Sequence, residues 1–260
     1  MAVSVCVLLY GPYPQLAERL LASIEDSNPP HKLLADIRIG VNAVCSDTRK
    51  LVWDFAGNKM LHVPVYVYDA GYNVGKYPLM RRMFYDPARP VAERIMWFDD
   101  DSYLTTAGPA WWRQVNQLAE RHVLVGQTWT IRQRGRQYLG IQAQPWYTGK
   151  PVSESHKFFF CTGGWWVADS GFLKRWDYPF LELYHNGGDS ILGELVRQQG
   201  GKIAKFDSGL VINEGGRKSR RGIAVALREE VYPWQNYADG QGPDLSKHDF
   251  NCTIHTFAKT

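Results

Sequence analysis

The hydrophobic positions of this chain change period several times, and the changes lay out an alternation of strands and helices. Val3 to Tyr10 (VSVCVLLY) is an almost unbroken apolar run of strand length, closed by Gly11-Pro12. Leu16, Leu20, Leu21 and Ile24 then recur at helical spacing. Asp36 to Val41 alternates apolar and polar residues as a second strand, and Ser46 is placed to cap a helix carrying Leu51, Val52 and Phe55. Val63 to Tyr68 predicts a third strand, and Pro78 suits the first turn of a helix ending at Phe84. Arg94 to Phe98 predicts a fourth strand, stopping at Asp99-Asp100-Asp101. This order predicts an α/β fold with a mostly parallel sheet covered by helices. In such sheets ligands collect at the carboxyl ends of the strands, which is where the acids fall.

The second half is less regular. A helix is expected over Ala110 to Arg121 and a strand over His122 to Val125, while residues 126 to 155, rich in Gln, Gly and Arg, read as loops or a small ribbon. Lys157 to Cys161 is strand-like, Gly163-Gly164 is expected to break it, and Trp165-Trp166-Val167 resumes it. From Gly188 to Gln199, Ile191, Leu192, Leu195 and Val196 share one helical face. A basic glycine-rich loop follows Asn213, then a helix from about Gly222 and an irregular tail. No repeat and no linker divides the chain, so one domain is expected over residues 1–260, with halves at 1–104 and 105–260.

Composition narrows the class. Hydrophobic residues make up 45% and charged residues 22%, as in ordinary soluble domains. Ten Trp are more than a core usually needs, so some are expected to line a ligand surface. The net charge of +4 suits a polyanionic ligand as readily as a plain solvated surface. Cys6, Cys45, Cys161 and Cys252 include no CxxC pair and read as reduced thiols, not as a disulfide framework or zinc site. No apolar run reaches the ~18 residues of a membrane span, and the start has no signal-peptide pattern, so a cytoplasmic protein is expected.

Three adjacent carboxylates cannot all stay ionised at low cost unless a cation compensates them. Hard oxygen ligands favour magnesium or manganese, which bind phosphates in parallel. A solvated acidic turn is the plain alternative, and position at a strand end tips the balance toward metal.

The segment Arg94 to Leu104 (RIMWFDDDSYL) resembles the strand and DxD motif of family 2 glycosyltransferases and their GT-A relatives. The opening VSVCVLLYGPYPQLAERLLASI resembles that family's first strand and helix, and Tyr72-Asn73-Val74-Gly75-Lys76 its asparagine–glycine turn. GGWWVADSGFLKRW followed by GGDSILGELVRQQGGKI resembles the acceptor-side block, with Asp189 in the place of the second acid of an acidic pair. Four motifs in family order cover most of residues 3 to 212. Two positions depart from the pattern: the pair is reduced to Gly188-Asp189, and Asn42 stands where the family usually has an acid that reads the base.

The resemblance implies a GT-A fold, with residues 1–104 binding a nucleotide sugar, a UDP-sugar first, and residues 105–260 facing the acceptor. It implies that Asp101, with Asp99, holds a divalent metal (Mn2+ or Mg2+) bridging the donor phosphates, and that Asp99 or Asp100 contacts the ribose or a water of the metal. Tyr10 would stack on the base, or be a plain aromatic at the rim, and Asn42 would hydrogen-bond the base, with Lys76 and Gly164 also against substrate. Asp189 would be the general base of an inverting transfer, a helix cap being the alternative role. His255 would supply a late third metal ligand, or be a tail histidine without a role. Arg217 and Arg220, in a run of four cations from Arg217 to Arg221, would close over the diphosphate. That run could equally be a solvated loop or meet nucleic acid phosphates, as could Arg132, Arg134 and Arg136 if they share a strand face. Trp165 and Trp166 would flank the acceptor or the sugar, or else be core.

Two acceptors compete: a hydroxymethylated pyrimidine in DNA, as in phage-type base glucosylation, and a glycan or lipid-linked saccharide. The arginines and the net charge tip the balance narrowly to DNA. Outside the class, a nucleotidyltransferase or a non-catalytic metal- and sugar-binding module would carry similar acids.

Overall fold

The structure, a computed structural model, describes residues 1–58, 61–132, 137–152, 156–184, 187–214 and 245–258. The first half alternates as its apolar periods require: β1 (Val3–Tyr10), α1 (Pro14–Asp26), β2 (Leu34–Asn42), α2 (Ser46–Gly57), β3 (Val65–Asp69), α3 (Lys76–Phe84) and β4 (Arg94–Asp99). There follow β5 (Tyr103–Leu104), α4 (Pro109–Arg121), β6 (Leu124–Arg132), α5 (Gln137–Gln142), β7 (Lys157–Asp169), α6 (Ser170–Arg175), α7 (Gly188–Gln198), β8 (Ile203–Lys205), β9 (Leu210–Val211) and β10 (Thr253–Phe257). The main sheet has the order β10-β3-β2-β1-β4-β7-β6-β8, and β5 pairs with β9 in a small second sheet. Strands β3, β2, β1 and β4 run parallel, while β7 is antiparallel to β4 and β6, and β10 is antiparallel to β3.

Helices cover both faces of the central strands, so β1 and β4 each feed two cores. On β1, Val3, Val5, Val7 and Leu9 enter the core under α1, α2 and α4, while Cys6 and Leu8 enter the one under α3 and α7. The same alternation divides β4, with Met96 and Phe98 on the first side and Ile95 and Trp97 on the second. Gly40 lets α3 close on β2: a Cβ there would lie 3.1 Å from Leu79 and Met83 side-chain carbons. Beside it, buried Arg38 is satisfied by Asp36 of its own strand.

Several local expectations change. Ser46 does not cap α2; Cys45 holds the cap position, and its Sγ meets the Thr48 hydroxyl at 3.3 Å. The glycine pair does not break β7, which runs through Gly163-Gly164 from Lys157 to Asp169. The tail is not irregular throughout, because Thr253–Phe257 adds an edge strand to β3. The basic loop and the helix expected from Gly222 lie outside the described residues. Among the described residues, no helix is long and apolar enough to cross a membrane.

Candidate active site at the strand ends

The chain winds outward from β1 to β2 and β3, then crosses to β4 on the other side of β1. Such a reversal opens a crevice beyond the strand carboxyl ends. Tyr10, Asn42, Asp69 and Asp99 end the four parallel strands there.

The three acids that leave β4 have three different surroundings. Asp99 Oδ2 accepts from Lys76 Nζ at 2.7 Å, and its Oδ1 accepts from Trp97 Nε1 at 2.9 Å. Asp100 is buried and accepts the backbone N–H of Tyr10 at 2.9 Å, which ties the acidic turn to the end of β1. Asp101 is buried too, and its carbonyl accepts the N–H of Glu214 at 2.9 Å. Burial first, and the charge of Asp99 second, push the Asp101 carboxyl up to about 6, with Lys76 acting in the opposite sense.

Lys76 is the hub. From the first turn of α3, its ammonium group reaches Asp99 and also donates to the Gly163 carbonyl at 3.0 Å. A Cβ on Gly163 would lie 3.2 Å from Lys76 Nζ and 3.7 Å from Asp189 Oδ2, so the glycine is the floor between cation and carboxylate. Asp189 is half-buried in the first turn of α7, and Gly187, with φ 80°, holds the cap position instead. Burial pushes the Asp189 carboxyl up, and Lys76 leads the influences that pull it back. Four elements (β4, α3, β7 and α7) thus bring Asp99, Lys76, Gly163 and Asp189 together.

Position 188, before Asp189, has no room for a side chain. A Cβ on Gly188 would lie 2.3 Å from Cζ of the buried Tyr77 ring, and the Gly188 carbonyl accepts from Tyr178 Oη at 3.1 Å. Gly188→Asp is therefore expected to destabilise the fold by about 1–3 kcal/mol through overpacking. Adding Tyr77→Ala should remove that clash. Denaturant unfolding of the single and double variants checks it; a harmless Gly188→Asp would mean that the ring yields.

Several sequence-based assignments are corrected. Asn42 reads the chain itself: its Oδ1 accepts from Val74 N–H at 2.9 Å, and its Nδ2 donates to Asn73 Oδ1 at 3.2 Å. Both polar ends of this 2% exposed side chain pin the 73–75 turn that presents Lys76. Gly164 is buried where a Cβ would meet Asn213 Oδ1 at 2.2 Å, so it serves close packing, and Gly163 is the glycine at the site. Trp165 and Trp166 are 0% and 2% exposed, and neither flanks a ligand. Trp165 packs with Trp111 and Phe98, and Trp166 on the opposite face stacks with Trp97. His255 is on edge strand β10 with its ring against Trp53, 5.0 Å between centroids. Three strands separate β10 from β4, about 19 Å at normal sheet spacing, so His255 is not beside the acids. Tyr10 remains at the strand ends with a half-buried side chain. Arg132 is exposed at the end of β6, while Arg134, Arg136, Arg217 and Arg220 lie outside the described residues.

A clamp absent from the sequence reading fixes the acidic turn from the other side. Asn213 N–H donates to Ser102 Oγ at 3.1 Å, and Glu214 takes Tyr103 Oη at 3.1 Å and the Arg19 guanidinium, which lies over the Tyr103 ring. Among the described residues, no group of three His, Cys, Asp or Glu is placed to hold a metal ion alone. A magnesium or manganese site of one or two carboxylates completed by substrate phosphates needs no such group, and a buried carboxyl whose charge is disfavoured fits one.

No family model and no curated protein matches the chain in sequence. Solved structures match it in shape. The mannosyltransferase PcManGT from Pyrobaculum calidifontis, in complex with GDP-Man and Mn2+, aligns with a TM-score of 0.56 at 15% identity, over 95% of this chain and 70% of that one. The fold is GT-A. S. aureus TarS 1-349 gives a TM-score of 0.52 at 15% identity, over 80% of this chain and 58% of its own length. TarS 1-349 in complex with UDP-GlcNAc gives 0.50 at 14% identity, over 91% and 69%. The chain thus spans little more than half of TarS 1-349 in the first of these alignments.

Proposed function

We propose that this chain is a metal-dependent, inverting glycosyltransferase that moves a sugar from a nucleoside-diphosphate sugar, UDP-linked first, to a hydroxyl acceptor. The observation that carries the reading is the convergence of Asp99, Lys76, Gly163 and Asp189 beside Asp101, at the crevice of the fold found in the GDP-Man and UDP-GlcNAc complexes. Residues 1–104 take the donor, residues 105–260 the acceptor, and the two halves act as one domain.

Asp101, with Asp99, would hold the metal, and a bound divalent cation would offset the charge growing on the departing diphosphate. Asp100 keeps the turn in register with Tyr10, whose side chain would stack on the base. Lys76 sets the local field: it balances Asp99 and lies near Asp189 without either carboxylate leaving the site. The acceptor oxygen forms a bond to the anomeric carbon while the bond from that carbon to the diphosphate breaks. The electron pair leaves with the nucleoside diphosphate, and the acceptor proton passes to Asp189. One displacement inverts the anomeric centre.

The test is product analysis with a panel of nucleotide sugars, Mn2+ and candidate acceptors. Release of nucleoside diphosphate with an inverted glycoside is expected. Release of pyrophosphate would identify a nucleotidyltransferase instead.

A further inference from the structure

Of the five exposed large hydrophobic side chains among the described residues, three are on one two-stranded ribbon: Trp129 at 55%, Phe159 at 45% and Ile131 at 42%. The ribbon is the outer part of β6 and β7, where Trp129 pairs with Phe160, Thr130 with Phe159, Ile131 with Phe158 and Arg132 with Lys157. Strand alternation puts Thr130, Arg132, Lys157 and Phe159 on one face. All four are exposed. That face offers an aromatic ring, a hydroxyl and two cations. The opposite face carries Trp129 and Ile131 next to the buried Phe158 and Phe160.

Charge selects the occupant. No acidic residue occurs from Leu124 to Arg132 or from Lys157 to Ala168. Of the two acids on α7, the helix packed on β7, Asp189 borders Gly163, and Glu194 is 1% exposed and paired with Arg197 and His156. A neutral saccharide would use the rings and leave the cations idle. A strand of nucleic acid uses both, because bases stack on aromatic faces and phosphates pair with Lys and Arg. The ribbon also leads to the chemistry. Phe159 lies four residues before Gly163 on the same unbroken strand, about 13 Å at strand rise, and Gly163 borders Lys76 and Asp189.

We propose that the acceptor of this enzyme is a nucleic acid strand gripped by the β6–β7 ribbon, with a base stacked on Phe159 and flanking phosphates on Arg132 and Lys157. A hydroxylated base farther along the strand then reaches Asp189. This rests on the glycosyltransferase reading above and adds the acceptor class and its binding surface.

The test is binding of short single-stranded DNA carrying 5-hydroxymethylated pyrimidine, measured by fluorescence anisotropy across a salt series. Inorganic polyphosphate and a neutral oligosaccharide serve as comparison ligands. For DNA, affinity should fall linearly with salt on logarithmic axes, and Arg132→Ala and Lys157→Ala should each lower the slope by about 0.7. Phe159→Ala should weaken DNA by about 5- to 150-fold, leaving the slope and polyphosphate binding unchanged. No DNA binding at low salt, or equal effects of Phe159→Ala on DNA and polyphosphate, would overturn the proposal. So would salt-independent oligosaccharide binding that needs Phe159. Thermal stabilisation by a panel of nucleotide sugars with Mn2+ is measured in parallel. If the donor binds and DNA does not, only the acceptor inference fails; if no nucleotide sugar binds, the glycosyltransferase reading fails first.

Discussion

Asp189→Asn is expected to cut turnover by about 100-fold or more while donor affinity stays within a few fold, the pattern of a lost general base. Asn keeps the size of Asp and an oxygen able to accept the Ser190 N–H, which Asp189 Oδ1 takes at 2.8 Å. It cannot take a proton from an acceptor hydroxyl. The stability readout separates this role from a structural one. Burial raises the Asp189 carboxyl in the folded state, so the folded chain binds the proton more tightly than the unfolded chain does. Stability from this group is therefore present at low pH and is lost as pH rises through the window between the unfolded and folded values. Above that window the ionised Asp189 costs stability, and Asn relieves that cost. The melting temperature of Asp189→Asn should stay level or rise. A lower melting temperature with turnover intact would mark Asp189 as part of the α7 start and nothing more.

The parallel half of the fold was readable because its signals are local. The apolar runs at Val3 to Tyr10 and Arg94 to Phe98 each declare a buried strand, and their order dictates crossovers. The acids after Phe98 were readable for the same reason, since a run of carboxylates at a strand end needs no partner to be noticed. What the reading missed depends on contacts distant in sequence. Trp165 and Trp166 suggested a ligand face, yet neighbours on a strand point to opposite faces, and here both faces are covered by helices. Asn42 suggested base recognition, but the turn 31 residues on claims its amide. The resemblance suggests His255 as a late ligand, but pairing with β3, which no local pattern announces, sets it at the sheet edge. The Glu214 clamp joins residues more than a hundred positions apart and had no sequence signal at all. Gly188 had a partial one: a lost acid was visible, but the Tyr77 ring that fills its place was not.

Removal of divalent metal is expected to abolish donor binding and turnover, and Asp101→Ala should reproduce that loss in saturating Mn2+. A cation on a departing diphosphate supplies several kcal/mol of charge stabilisation, so the expected fall in turnover is about 100-fold or more. The surroundings of the three acids favour Asp101 over its neighbours. Asp99 already faces Lys76 and Trp97, and Asp100 is committed to the Tyr10 backbone. Asp101 is the acid whose charged form is disfavoured by burial and by Asp99, a penalty that Lys76 offsets only in part and that a divalent cation would reverse. Thermal melts give a readout independent of activity. Mn2+ with UDP-sugar should raise the melting temperature of the wild type, and the increment should vanish in Asp101→Ala while the metal-free melting temperature changes little. Asp100→Ala should differ in kind: the metal-free protein itself should lose stability, because the bond that ties the acidic turn to β1 is gone. Full turnover in excess chelator would remove the metal from the mechanism and leave Lys76 as the cation that answers the diphosphate.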